Sequence, residues 1–217
     1  NRFSPPSFLS EDGFNLLKYV TSGYFVFIPG IEYTLQQPGV SALRSVEAGV
    51  EKVKEYPFID PSRIGLTGHS FGGYETAYIM TRSDLFATGV AGAGVTDMHS
   101  YYHDVWWANR DTEHIWRLEN QQWRMGGSYY DLKEQYNENS PMQYVEKLNN
   151  PLLLWTGKKD TNVNWQQSVY MFTAMKRLNK EGKLILIENE AHGISNPANQ
   201  EKLGKEIFEW FNRYLKP

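Results

Sequence analysis

Apolar runs of four to six residues alternate along this chain with stretches of helical period. The runs are Tyr24–Ile28, Ile64–Thr67, Thr88–Ala93, Pro151–Trp155 and Leu184–Ile187. Short runs of this kind, bounded by Gly, Pro or Asp, predict buried strands. Between them, Val40–Glu55 brings Leu43, Val46, Val50 and Val53 onto one helical face. Gln166–Asn179 does the same with Val169, Phe172, Met175 and Leu178, and helices are also predicted over Gly72–Thr81 and Glu201–Leu215. Strands alternating with helices predict an α/β fold, a mostly parallel sheet with helices on both faces. At 217 residues the chain is expected to form one domain over residues 1–217.

Two stretches break the alternation. Asn1–Asp12 contains Pro5 and Pro6 and has no strong period. Residues 95–150 are far longer than an ordinary connection between strands. This second stretch holds Tyr101, Tyr102, Trp106, Trp107, Trp116, Trp123, Tyr129 and Tyr130. Such aromatic density predicts a helical insertion that packs on itself, with its first part walling a pocket for an apolar group.

Composition narrows the function classes. Lys and Arg number 22 against 25 Asp and Glu, a net charge of −3, with no basic stripe. Nucleic acid is therefore not an expected partner. No run approaches the ~18 apolar residues of a transmembrane helix, and the first residues lack a signal-peptide pattern. There is no cysteine, which excludes disulfides and thiol catalysis. His99 and His103 lie four apart, but no third ligand follows at useful spacing, so no metal and no cofactor is expected.

The chemistry concentrates after three of the apolar runs. Ile64–Thr67 leads into Gly68-His69-Ser70-Phe71-Gly72, a Gly-x-Ser-x-Gly turn between strand and helix. This pattern exposes a serine hydroxyl on a sharp elbow, and the strand and helix pass so closely that Gly68 and Gly72 are expected to be small for that reason. The helix start behind the serine favours negative charge on a substrate oxygen. A serine of this kind needs a base and an orienting acid, in the chain order Ser, Asp or Glu, His. Asp160 follows the run Pro151–Trp155, and His192 follows Leu184–Ile187. Asp97 and Asp104 compete as the acid, and Asp160 is preferred because it lies late in the chain before the histidine. Glu190 is too near His192 in sequence to orient its ring. His69 is expected to point away from the serine, and His114, near Asp111, Glu113 and Arg117, to sit on a solvated helix face.

These residues carry a resemblance. Ile59–Gly65 running into Gly68–Tyr74 resembles the prolyl oligopeptidase family of serine peptidases. So do Trp155–Val163 with Gln166-Gln167-Ser168, Glu190–Ile194, and Asn139-Ser140-Pro141 at the end of the insertion. The dipeptidyl and acylaminoacyl peptidase subgroup is the most similar. The resemblance implies an α/β-hydrolase fold, Ser70 as nucleophile, Asp160 as acid and His192 as base. It implies the Phe71 N–H as an oxyanion donor, Asn162 as a contact to the substrate backbone, and Val163 as a wall of the pocket before the scissile bond. Val95, Met98 and Tyr101 fall where the family has further pocket residues. It also implies short peptide substrates and an upstream β-propeller domain in the same polypeptide.

A hydrolase sheet of this type normally has several strands before its nucleophile, and only Tyr24–Ile28 is read here. The chain is thus expected to be N-terminally truncated, without the upstream tyrosine that serves the family as second oxyanion donor. Gly30-Ile31-Glu32-Tyr33 also departs from the acidic start found in many members. A sheet edge left open would favour a homo-oligomer. An esterase of the same fold and an inert or binding domain are the alternatives to a peptidase.

Overall fold

A computed structural model describes residues 8–105 and 112–217. Four parallel strands form one sheet: β1 (Gly65–His69), β2 (Thr88–Gly92), β3 (Leu152–Gly157) and β4 (Gly182–Ile187). Their spatial order is their chain order, β1-β2-β3-β4. Gly65 pairs with Thr88, Gly89 with Leu152, and Leu152 with Gly182. Parallel neighbours require a crossover from one end of the sheet to the other. Here α3 (Phe71–Met80) links β1 to β2, and α7 (Gln166–Arg177) links β3 to β4.

Alternation along β3 shows why the strands read as continuous apolar runs. Leu152 and Leu154 face one core with Val46 and Val50 of α2 (Pro38–Val53), Ile79 and Met80 of α3, and Met171 and Met175 of α7. Leu153 and Trp155 face the opposite core with Leu203, Ile207 and Phe211 of α8 (Pro197–Leu215), and Tyr19 of α1 (Leu16–Thr21). Both faces of the sheet are covered, as a parallel sheet requires. α8 starts four residues earlier than its apolar stripe suggests. Asn196 accepts the N–H groups of Ala198 and Asn199, and Pro197 occupies the first turn, a strong helix-start signal. No helix among the described residues is long and apolar enough to cross a membrane.

Residues 24–28 do not form the expected strand. They form no regular element, and no described strand precedes β1. Tyr24 and Val26 pack toward the α8 core while Phe25 and Phe27 are exposed, an alternation that ends at Ile28, which is 80% exposed. A strand needs a partner about 4.8 Å away. A cavity of about 570 Å³ instead separates this segment from β1, lined by Phe25, Phe27, Val50 and Leu66 among others.

The described residues between β2 and β3 form several short helices. These are α4 (Met98–Tyr102), α5 (Glu113–Asn120), α6 (Lys133–Glu138) and a 3₁₀ segment, Pro141–Lys147. Tyr101, Tyr102, Trp123 and Tyr136 pack with Tyr74 of α3 into a third core of their own. Trp116 and Tyr130 remain exposed. Trp106, Trp107, Asp111, Pro5 and Pro6 lie outside the described residues.

Candidate active site

The C-terminal ends of β1, β3 and β4 lie along the same edge of the sheet because all four strands are parallel. Each end carries one of the three polar residues singled out above. Ser70 follows β1 with φ 60° and ψ −117°, a conformation that an L-residue adopts only under constraint. Two backbone bonds hold it there: the Ser70 N–H donates to the Gly92 carbonyl at 2.8 Å, and its own carbonyl accepts from Tyr74 N–H at 3.0 Å.

The glycines around this turn differ in their reasons. A Cβ at position 68 would lie 2.2 Å from the Gly72 carbonyl oxygen, and one at position 73 would lie 2.2 Å from the Gly92 oxygen. A Cβ at position 72 would meet nothing within 4 Å. The expectation for Gly68 holds, but Gly72 is not required by packing. Its neighbour Gly73 is, because α3 crosses directly over β2.

His192 bridges the other two residues. Its Nδ1 lies 2.7 Å from Asp160 Oδ2, and its Nε2 lies 2.6 Å from Ser70 Oγ. A carboxylate can only accept, so Nδ1 carries the proton and Nε2 accepts from the serine hydroxyl. The Asp160 side chain has no solvent exposure. Its other oxygen, Oδ1, accepts from the N–H groups of Asn162 at 2.8 Å and Val163 at 2.9 Å. Those bonds stabilise the ionised carboxylate in a dry setting.

The rival carboxylates are engaged elsewhere. Asp97 caps α4 by accepting from His99 and Ser100 N–H. Asp104 accepts from Val105 N–H. Glu190 does not orient the ring; it fastens the histidine loop. Burial alone would raise its pKa, but bonds from Asn199, Ser195 and Asn196 outweigh that and hold it below the ordinary carboxylate value.

His114 sits differently from expectation, and His69 has partners that the sequence did not announce. His69 bonds the loop that carries His192: its Nε2 donates to the His192 carbonyl at 2.7 Å, and its ring stacks on Trp155 at 5.3 Å. Burial holds its pKa below the ordinary histidine value, which keeps it neutral and able to donate from one nitrogen only. His114 is buried, 1% exposed, against Tyr101, because α5 folds that face inward onto α4. Charged sequence neighbours misled here. His103 bonds the His99 carbonyl and the Tyr130 hydroxyl.

A small cleft of about 60 Å³ adjoins Ser70 and His192. Phe71, Val95, Tyr101, Asn162 and Val163, each singled out above, are among the residues that line it. Met98 is fully buried in the aromatic core and is not part of the cleft wall. Arg117, Gln122 and Trp123 do line it, so the later part of the insertion contributes as well as the first. Nothing in their local sequence announces this. Phe71 opens α3, where backbone N–H groups have no partner within the helix. Phe71 also carries a ring packed edge-on against Trp123 at 4.8 Å.

A model of the prolyl oligopeptidase family, Peptidase_S9, matches residues 34–217. The chain belongs to the prolyl oligopeptidase family. The chain is similar to the uncharacterized peptidase YuxL of Bacillus subtilis, 29% identical over 175 residues. Dipeptidyl-peptidase 5 of Porphyromonas gingivalis is 25% identical over 186 residues. These matches cover 78% and 82% of this chain, which spans 25% of each relative's length. The fold is similar to that of the uncomplexed acylaminoacyl peptidase of Pyrococcus horikoshii, with a TM-score of 0.74 and 29% identity over 84% of this chain and 29% of that one. The α/β-hydrolase architecture of the prolyl oligopeptidase family thus accounts for the parallel sheet and for the helices on both its faces.

Proposed function

We propose that the chain carries the catalytic centre of a serine peptidase that cleaves short peptides through an acyl-enzyme. The observation that carries this reading is the continuous bond chain Ser70 Oγ to His192 Nε2 and His192 Nδ1 to Asp160. His192 takes the Ser70 proton as Oγ attacks the peptide carbonyl, and Asp160 fixes the tautomer and stabilises the imidazolium. The Phe71 N–H holds the oxyanion. His192 then protonates the leaving amine, and water releases the acyl group by the reverse proton path. Asn162 contacts the substrate backbone, and Val95, Tyr101 and Val163 wall the pocket for the residue before the scissile bond. A second oxyanion donor and an upstream β-propeller belong to the same reading, in a longer polypeptide. Removing one such donor costs about 10²–10³ in rate. Similarity to dipeptidyl-peptidase 5 and to an acylaminoacyl peptidase supports peptide over ester substrates.

The test is labelling with a fluorophosphonate probe, located by mass spectrometry of the modified peptide. Modification at Ser70, absent in Ser70→Ala and suppressed in His192→Ala, is the expected result. Modification elsewhere, or none in this chain and in longer polypeptides that contain it, overturns the assignment. Faster turnover of esters than of matched peptides would move the reading to a carboxylesterase.

A further inference from the structure

We propose that His69 is a positioning residue for the base of this site: by bonding the backbone carbonyl of His192, it sets the imidazole between Ser70 and Asp160. This rests on the reading of Ser70 and His192 as nucleophile and base.

His69 is the last residue of β1, one before the nucleophile. It pairs with Gly92 of β2, and Gly92 pairs with Trp155 of β3, so the three form one row across the sheet. A Cβ at position 92 would lie 2.2 Å from the Trp155 indole. The missing side chain lets the indole lie across β2 and stack on the His69 ring, with 7° between the planes. Trp155 is buried, so the stack fixes the plane of the His69 imidazole. Within that plane, Nε2 donates to the His192 carbonyl.

The chain beside the base needs such a hold. Gly193 follows His192, and a glycine leaves the backbone free to rotate. Two bonds remove that freedom. His69 holds the carbonyl before Gly193, and the Glu11 carbonyl accepts from the Ile194 N–H after it at 2.8 Å. Glu11 precedes the first strand, whereas His69 ties the loop directly to the residue next to Ser70.

The donor also has the right charge. The His69 and His192 rings are 4.9 Å apart between centroids. A cation at that distance would oppose the imidazolium that forms when His192 takes the serine proton. Burial lowers the His69 pKa and outweighs the accepting carbonyl, Asp12 and Glu11, which act to raise it, while His192 acts with burial. The ring is therefore neutral and donates without adding charge.

The experiment compares three variants. His69→Gln keeps a donor at similar reach, His69→Met has nearly the same length without one, and His69→Phe keeps a ring for Trp155. The first readout is the rate at which a neutral fluorophosphonate modifies Ser70. The second is the far-downfield proton NMR resonance of the His192 Nδ1–H bonded to Asp160. His69→Gln is expected to keep most of the rate and the resonance. His69→Met and His69→Phe are expected to slow modification by roughly ten- to a hundredfold, the scale of a misplacement of about 1 Å, and to lose the resonance. Melting curves check that each variant is folded, and if His69→Phe is not, the matched Gln and Met pair decides. A Met variant as fast as the Gln variant overturns the proposal, as does a resonance unchanged in the slower variants. Wild-type Ser70 left unmodified, in this chain and in longer polypeptides that contain it, would instead sink the peptidase reading, and this inference with it.

Discussion

A methyl group on residue 68 would press into the backbone of residue 72, which no side-chain rotation can relieve. Gly68→Ala is therefore expected to lower stability by about 1–3 kcal/mol, the usual cost of overpacking, and to displace Ser70. Gly72→Ala meets open space inside a helix, where alanine is favoured over glycine by about 1 kcal/mol. Its melting midpoint is expected to equal or exceed that of the wild type. Thermal denaturation of the two variants side by side checks both signs. The Gly-x-Ser-x-Gly pattern made the elbow legible because a sharp turn restricts the residue types around it. It did not reveal which glycine was sterically required. That depends on the crossing of α3 over β2, a tertiary fact.

At the scale of elements, the histidine loop hangs on Glu190. Ser195 and Asn196 give it backbone N–H bonds, and Asn199 adds its side-chain amide. The folded-state pKa of Glu190 is lowered. Its contribution is therefore fully present above the unfolded value of about 4.3 and is lost as pH falls through the folded value. Glu190→Gln should melt earlier than the wild type at pH 7, and the gap should close as both are titrated into the acid range. A gap independent of pH would contradict this role.

The same scale shows where sequence reading stopped. Asp160 and His192 were legible because each lies on the loop that follows an apolar run, and parallel strands bring such positions together. Tyr24–Ile28 had the pattern of a strand, but pattern records what a segment can do. Pairing requires a neighbour, and across from Phe25 and Phe27 lies a cavity. Arg117 and Gln122 could not be found from sequence, because an insertion without repeat or motif gives no register from which to infer facing. His114 failed for a related reason: four residues of sequence context do not say which side of an eight-residue helix turns inward.

For the molecule as a whole, the sheet is laid down in chain order, and the site is closed by its last strand. Ser70 and His192 are 122 residues apart, and Asp160 and His192 are 32 apart. Helices such as α2 and α8 form from local contacts, whereas parallel pairing waits for long loops to close. The bond between His192 and Ser70 thus spans β1 to β4 and requires every strand between them to be in register. During refolding from denaturant, helical circular dichroism should recover before fluorophosphonate reactivity does. Simultaneous recovery of the two signals would argue against late closure. A reagent that modifies only an activated Ser70 then becomes a clock for the last step of folding, and any chain that reacts has already completed its sheet.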